Sequence, residues 1–272
     1  MDSFPDRLRA AQAHAGSCLC VGLDPDAERL PDPLVGLPVA DAIEAFCERI
    51  IRATAAHACA YKPNAAFFEA HGAAGWAALE TVIAAVRRHA PHALVVLDGK
   101  RGDIGNTARL YARAAFDALG ADAATVAPYM GEDSVAPFLA WPGRCAFVLA
   151  RTSNAGAADF QHLVSDGAPL YEHVARAALR WGADAPGTAG LVAGATEPGA
   201  LAALRRIAPD APFLVPGVGA QGGSAAAVLD ANAGGPILVH AGREILSASS
   251  GADFAERAGE AAARLAAALR VE

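Results

Sequence analysis

Ala93-Leu94-Val95-Val96-Leu97-Asp98-Gly99-Lys100-Arg101-Gly102-Asp103 passes without a break from five apolar residues into a segment holding four charges. A continuous apolar run of that length, stopped by glycine and charge, reads as a strand buried on both faces. Such a strand belongs to a parallel sheet, whose crossover helices cover it. Seven further runs of this kind lie outward of it: Cys18 to Gly22, Cys59 to Lys62, Ala123 to Ala127, Cys145 to Arg151, Gly190 to Gly194, Phe213 to Val218 and Ile237 to Ala241. Alanine-rich segments of helical period separate them. Ile43, Phe46, Cys47, Ile50, Ile51 and Thr54 recur on one helical face, with Asp41 as the expected cap. Phe254, Ala258, Leu265 and Leu269 mark the helix after the last strand. The others are expected over Ala73 to His89, Gly105 to Leu119, Ser134 to Ala140, Leu170 to Arg180, Pro198 to Ile207 and Ser224 to Asp230. Strands alternating with helices in this way predict an α/β fold, a (β/α)8 TIM barrel. No Ser/Gly-rich linker or charge run divides the chain, so residues 1–272 are expected to form a single domain.

Composition narrows the partners. A net charge of -7 with no Lys/Arg stripe argues against nucleic acid. No apolar run reaches the ~18 residues of a membrane span, and Met1 to Ala15 lacks the apolar stretch of a signal peptide. A soluble, cytoplasmic protein is expected, with no membrane partner. Cys18, Cys20, Cys47, Cys59 and Cys145 are odd in number and mostly embedded in apolar runs, which fits buried thiols better than disulfides. Cys18 and Cys20 lack a second Cys/His pair at metal-ligand spacing, so no metal site is expected.

Barrels of this type keep their sites at the C-terminal ends of the strands. Read in order, those ends offer Asp24, Lys62, Asp98 with Lys100, Ser153, Gln221 and Arg243. A ring of salt bridges sealing the barrel is the plainer interpretation of these charges. Against it, alternation along an extended strand would turn Asp98 and Lys100 to the same side, and Asp103 stands where it can cap the next helix. A lysine held among carboxylates stays protonated, which suits a proton donor or cationic stabiliser better than a Schiff-base nucleophile. Gly99, between Asp98 and Lys100, adds backbone freedom at the point where the lysine is placed.

Gly217, Gly219 and Gly222 formally match a dinucleotide fingerprint, but the acidic residue expected about 20 positions on is missing. Glycine-rich turns after the seventh strand, followed by Gly242-Arg243 after the eighth, suit a phosphate instead. Arg243 would add charge-assisted hydrogen bonds. Ser153 to Pro169, the longest irregular stretch, reads as a lid, with Asn154 to Gly167 as its moving part.

At these residues the chain resembles the orotidine 5'-phosphate decarboxylase family, in its longer bacterial branch. The matching segments are Val21-Gly22-Leu23-Asp24-Pro25-Asp26, Tyr61-Lys62-Pro63-Asn64, Asp98 to Ile104, Thr152-Ser153-Asn154, Val215 to Gly222 and Gly242-Arg243. The resemblance implies decarboxylation of orotidine 5'-phosphate to UMP with no metal or organic cofactor, at the end of pyrimidine biosynthesis. It implies that Lys100 delivers a proton to C6, and that Lys62, Asp98 and Asp103 complete a charge network, Asp103 coming from the neighbouring subunit of a homodimer. It further implies ribose contacts from Asp24, Lys62 and the partner's Thr107, a pyrimidine contact from Ser153, and substrate binding at the phosphate end by Gln221, Gly242 and Arg243. Magnesium-dependent sugar-phosphate relatives on the same barrel carry an acidic metal ligand after the second strand, where this chain has Lys62. A non-catalytic nucleotide-sensing barrel would have little use for Lys62 and Lys100 among the acids.

Overall fold

The computed structural model describes residues 2–219 and 222–271. Eight parallel strands close a barrel in which each strand is bonded to its neighbours in sequence, and the last is bonded to the first. They are β1 Leu19–Leu23, β2 Ala60–Pro63, β3 Leu94–Arg101, β4 Ala123–Val126, β5 Cys145–Arg151, β6 Thr188–Ala193, β7 Phe213–Pro216 and β8 Ile237–Ala241. The intervening helices follow the expected order: α2 Val39–Thr54, α3 Gly72–His89, α4 Gly105–Arg113, α5 Glu132–Leu139, α6 Leu170–Gly182, α7 Pro198–Ile207, α8 Ala225–Asn232 and α9 Phe254–Ala268. Ahead of them lies α1, Phe4–Ala15, which the charged N-terminal segment conceals. Its Phe4, Leu8 and Ala11 are buried at helical spacing.

Contacts group the chain into two compact units, Ala10–Gly99 with His240–Glu272 and Met1–Arg9 with Lys100–Val239. In the first, β1 and β2 pair in register from Cys20 opposite Ala60 to Leu23 opposite Pro63. Helix α2 buries the stripe expected of it, Ile43, Phe46, Cys47, Ile50, Ile51 and Thr54. The Phe46 ring stacks on Phe254 of α9 at 5.5 Å. Asp41 is not the cap of α2: Pro38 occupies that position, and Asp41 falls in the first turn. Proline presets the backbone at a helix start, while the Asp41 carboxylate still complements the positive end of the helix.

In the second unit, Asp122 stands just before β4, is 1% exposed, and is paired with both Arg7 and Arg144. Phe4 meets Phe147 of β5 edge-on at 5.9 Å. The helix after β3 begins at Gly105 but relaxes into a π turn over Ala114–Ala118. Asp103 does not cap it. Ile104 is the N-cap, and the Asp103 carboxylate accepts the Ile104 N–H at 2.7 Å. The expected irregular stretch after β5 holds a 3-10 turn, Ala155–Asp159, and a small hairpin of Val164–Ser165 with Ala168–Pro169. All five cysteines are buried free thiols.

Candidate active site

In the unit formed by Ala10–Gly99 and His240–Glu272, the Lys62 ammonium at the end of β2 lies 2.5 Å from the Asp98 carboxylate on β3. The two residues are 3% and 7% exposed. Burial opposes the charge on Lys62. The carboxylates of Asp98 and Asp24, together with the Asp98 hydrogen bond, outweigh it and hold the lysine pKa above its ordinary value. The Asp98 backbone is itself fixed, because its carbonyl accepts the Ala65 N–H at 3.1 Å. The same field reaches Cys20: burial, opposed by Lys62 and reinforced by Asp98 and Asp24, pushes its thiol up to about 12. Cys20 therefore remains protonated and chemically quiet.

Asp24 follows β1 and is half-buried. A β-carbon at Gly22 would sit 2.5 Å from the His240 ring nitrogen and 3.0 Å from the Gly242 backbone, so only glycine lets β8 approach β1 there. One placed at Gly242 would lie 3.5 Å from the Asp24 carboxylate, which brings these two expected positions together. Arg243 is exposed and opens the short helix Arg243–Leu246. His240 is absent from the sequence-derived set; its only signal was a polar residue one position before the end of an apolar strand.

In the unit formed by Met1–Arg9 and Lys100–Val239, Lys100 is exposed and adopts φ +45°, the left-handed region. The expectation that Asp98 and Lys100 share a side by strand alternation therefore has no basis, since alternation requires extended backbone at both. The Lys100 N–H donates to the Thr125 hydroxyl on β4 at 3.0 Å. One residue on, the Ala127 N–H donates to the Arg101 carbonyl at 2.8 Å. Gly102 lies against Ala127, where a β-carbon would come within 3.1 Å. Asp103 is half-buried and Thr107, in the first turn of α4, is exposed.

Ser153 is half-buried and packs on Gly194, at which a β-carbon would lie 3.0 Å from the Ser153 nitrogen. Its neighbours are tightly held. Buried Arg151 bonds to Glu197 and to the Thr152 carbonyl. Gln161 grips Thr152 twice, accepting its N–H at 2.9 Å and donating to its hydroxyl at 2.8 Å. After β7, Gly217, Gly219 and Gly222 all take positive φ, and the turn closes with Gly223 N–H to Gly217 carbonyl at 3.0 Å. Positive φ at these positions is what glycine supplies. Gln221 lies outside the described residues.

A closed β/α barrel with acids, lysines and a glycine-rich turn at its strand ends defines the class of barrel enzymes that work at the C-terminal face. Residues 17–258 match the model of the Orotidine 5'-phosphate decarboxylase / HUMPS family. The chain belongs to that family. It is 49% identical to orotidine 5'-phosphate decarboxylase of Verminephrobacter eiseniae, covering 98% of each chain. Against the protein of the same name from Variovorax paradoxus it is 50% identical, covering 96% of this chain and 95% of that one. It also superposes on the structure of Leishmania donovani OMP decarboxylase with a TM-score of 0.82 and 43% identity, covering 98% of both.

Proposed function

We propose that this chain, a carboxy-lyase, converts orotidine 5'-phosphate to UMP and carbon dioxide, the last step of pyrimidine nucleotide synthesis. The observation that carries this reading is the buried Lys62–Asp98 pair. It puts an ammonium at the end of β2, where a magnesium-dependent sugar-phosphate relative needs an acidic ligand, and a cation there would repel a metal ion. The reaction then runs without metal or organic cofactor. The bond from C6 to the carboxylate breaks, its electron pair stays on C6, and the Lys100 ammonium transfers a proton to that carbon as carbon dioxide leaves. A localised carbanion with no electron sink needs a preorganised cation, and Lys100 supplies it. Asp98, Lys62 and Asp103 complete the charge network. Asp24, Lys62 and Thr107 bind the ribose, Ser153 binds the pyrimidine, and Gln221, Gly242 and Arg243 bind the phosphate. Gripping the remote phosphate releases binding energy that orients the reacting end and closes the segment after Ser153.

The chain acts as a single domain in a homodimer, with Asp103 and Thr107 serving the neighbouring site. Exposed Thr107 and, three residues on along the same face of α4, the exposed apolar side chain of Leu110 support a second copy at this face. Among the described residues no helix is long and apolar enough to cross a membrane. The acidic balance gives nucleic acid no footing, and the five free thiols suit the cytoplasm.

The test is the ultraviolet assay of orotidine 5'-phosphate loss with and without a chelator. Turnover is expected to be unchanged by chelator and to fall at least roughly 10³-fold in Lys100→Ala, within the range that positioned acids contribute, with the circular dichroism spectrum intact. Chelator-sensitive activity, or an active Lys100→Ala variant, overturns the reading.

A further inference from the structure

Thr125 is the one polar residue of β4, and it is 2% exposed. A hydroxyl buried to that degree needs a partner, and this one accepts the Lys100 N–H at 3.0 Å. The residue it holds is unusual: Lys100 carries a β-carbon yet adopts φ +45°, a conformation that sterics disfavour in all residues but glycine. The glycine beside it, Gly99, would take that conformation without strain, but the left-handed turn falls on the lysine. Strain of this kind persists only where the surroundings over-determine it. Among the contacts that hold it, the Thr125 hydroxyl fixes the amide of Lys100, and the Ala127 N–H fixes the carbonyl of the next residue at 2.8 Å.

We infer that Thr125 is a positioning residue for the reaction, its hydroxyl locking the left-handed turn from which the Lys100 ammonium departs. The inference rests on Lys100 being the proton donor. Thr125 touches no reacting atom, and it acts on rate through the angle at which the lysine leaves the strand. A lysine set about 1 Å from its productive place is expected to lose about 10²-fold in rate.

The experiment compares Thr125→Val, which keeps the shape and removes the acceptor, with Thr125→Ser, which keeps the acceptor, and with Lys100→Ala. In Thr125→Val, kcat for orotidine 5'-phosphate is expected to fall about 10- to 100-fold while KM stays within about threefold, the pattern of a lost transition-state interaction. Thr125→Ser is expected to restore kcat to within about threefold of the parent. A merely structural threonine would lower the melting temperature of Thr125→Val and leave kcat per folded molecule unchanged, and that result overturns the inference. So does equal loss in the valine and serine variants. If Thr125→Val does not fold, the smaller Thr125→Ala is measured against Thr125→Ser on the same criteria. An active Lys100→Ala removes the proton-donor reading itself. An inactive Lys100→Ala beside a fully active Thr125→Val removes only the role of Thr125.

Discussion

Lys62→Met takes the ammonium out of a pair whose side chains are 4% and 9% exposed, leaving the Asp98 carboxylate buried opposite a thioether. At an N···O separation of 2.5 Å and an effective dielectric of about 20, the gross attraction lost is roughly 7 kcal/mol. Much of that only repaid the desolvation of both groups. The net loss when one partner of a buried pair is removed is about 3–5 kcal/mol, because the other charge is stranded. Urea denaturation at pH 7 followed by circular dichroism is therefore expected to show the variant less stable by about that amount. The penalty depends on pH. A stranded buried carboxylate takes up a proton more readily than one in water, so the gap between variant and parent narrows as pH falls toward about 4, the ordinary carboxylate range. The parent behaves differently at the alkaline end. Folding raises the Lys62 pKa, so the folded state binds the proton more tightly than the unfolded one. The stability this contributes is complete below the ordinary lysine pKa of about 10.4 and is lost as pH climbs through the higher folded value. Lys62→Met should lack that alkaline decline. Adding Asp98→Asn to Lys62→Met removes the stranded charge and is expected to recover all but about 1–2 kcal/mol. A single variant within about 1 kcal/mol of the parent at pH 7, or a double variant no more stable than the single, would refute the reasoning.

Two further outcomes follow from the same physical arguments. Arg205 on α7 donates to the carbonyls of Ala208, Pro209, Ala211 and Pro236 and to Asn232, with its guanidinium 3.6 Å from the centre of the Phe213 ring. A lysine cannot span that fork, so Arg205→Lys is expected to destabilise by about 3 kcal/mol or more in a denaturant titration; a loss under about 1 kcal/mol counts against a keystone role. If Asp103 serves the neighbouring site, equimolar Lys100→Ala and Asp103→Ala, refolded together, should regain about a quarter of parental activity through heterodimers holding one intact site; no recovery despite mixed dimers would place Asp103 in its own subunit's site.

The barrel was legible because each strand is a short apolar run ended by charge or glycine. Cys145–Arg151 and Ile237–Ala241 emerge with the expected bounds. That charges gather at the strand ends was legible, since buried charges need partners, but which lysine meets which carboxylate was not, and the Lys62–Asp98 pair comes from the structure. Helix α1 was hidden because its apolar positions Phe4, Leu8 and Ala11 are diluted by charge. The expected caps at Asp41 and Asp103 fell away for a local reason. Pro38 and the extended Ile104 set where each helix could start, and that depends on backbone angles rather than on the presence of a carboxylate. Nothing in the sequence announced that Lys100, rather than Gly99, takes the left-handed turn. The partners that matter there, Thr125 for Lys100 and His240 against Gly22, come from strands distant in sequence, and an apolar run shows only that a polar side chain is buried, not whom it meets.

The double grip of Gln161 on Thr152 joins two residues nine apart in the chain. A segment tied back to its own root is a ring rather than a tether. The Thr152 amide, in the residue before Ser153, is thereby held by a side chain of the segment that follows it. A change at Gln161 therefore loosens the residue next to the pyrimidine-contacting position proposed at Ser153 without altering that position itself.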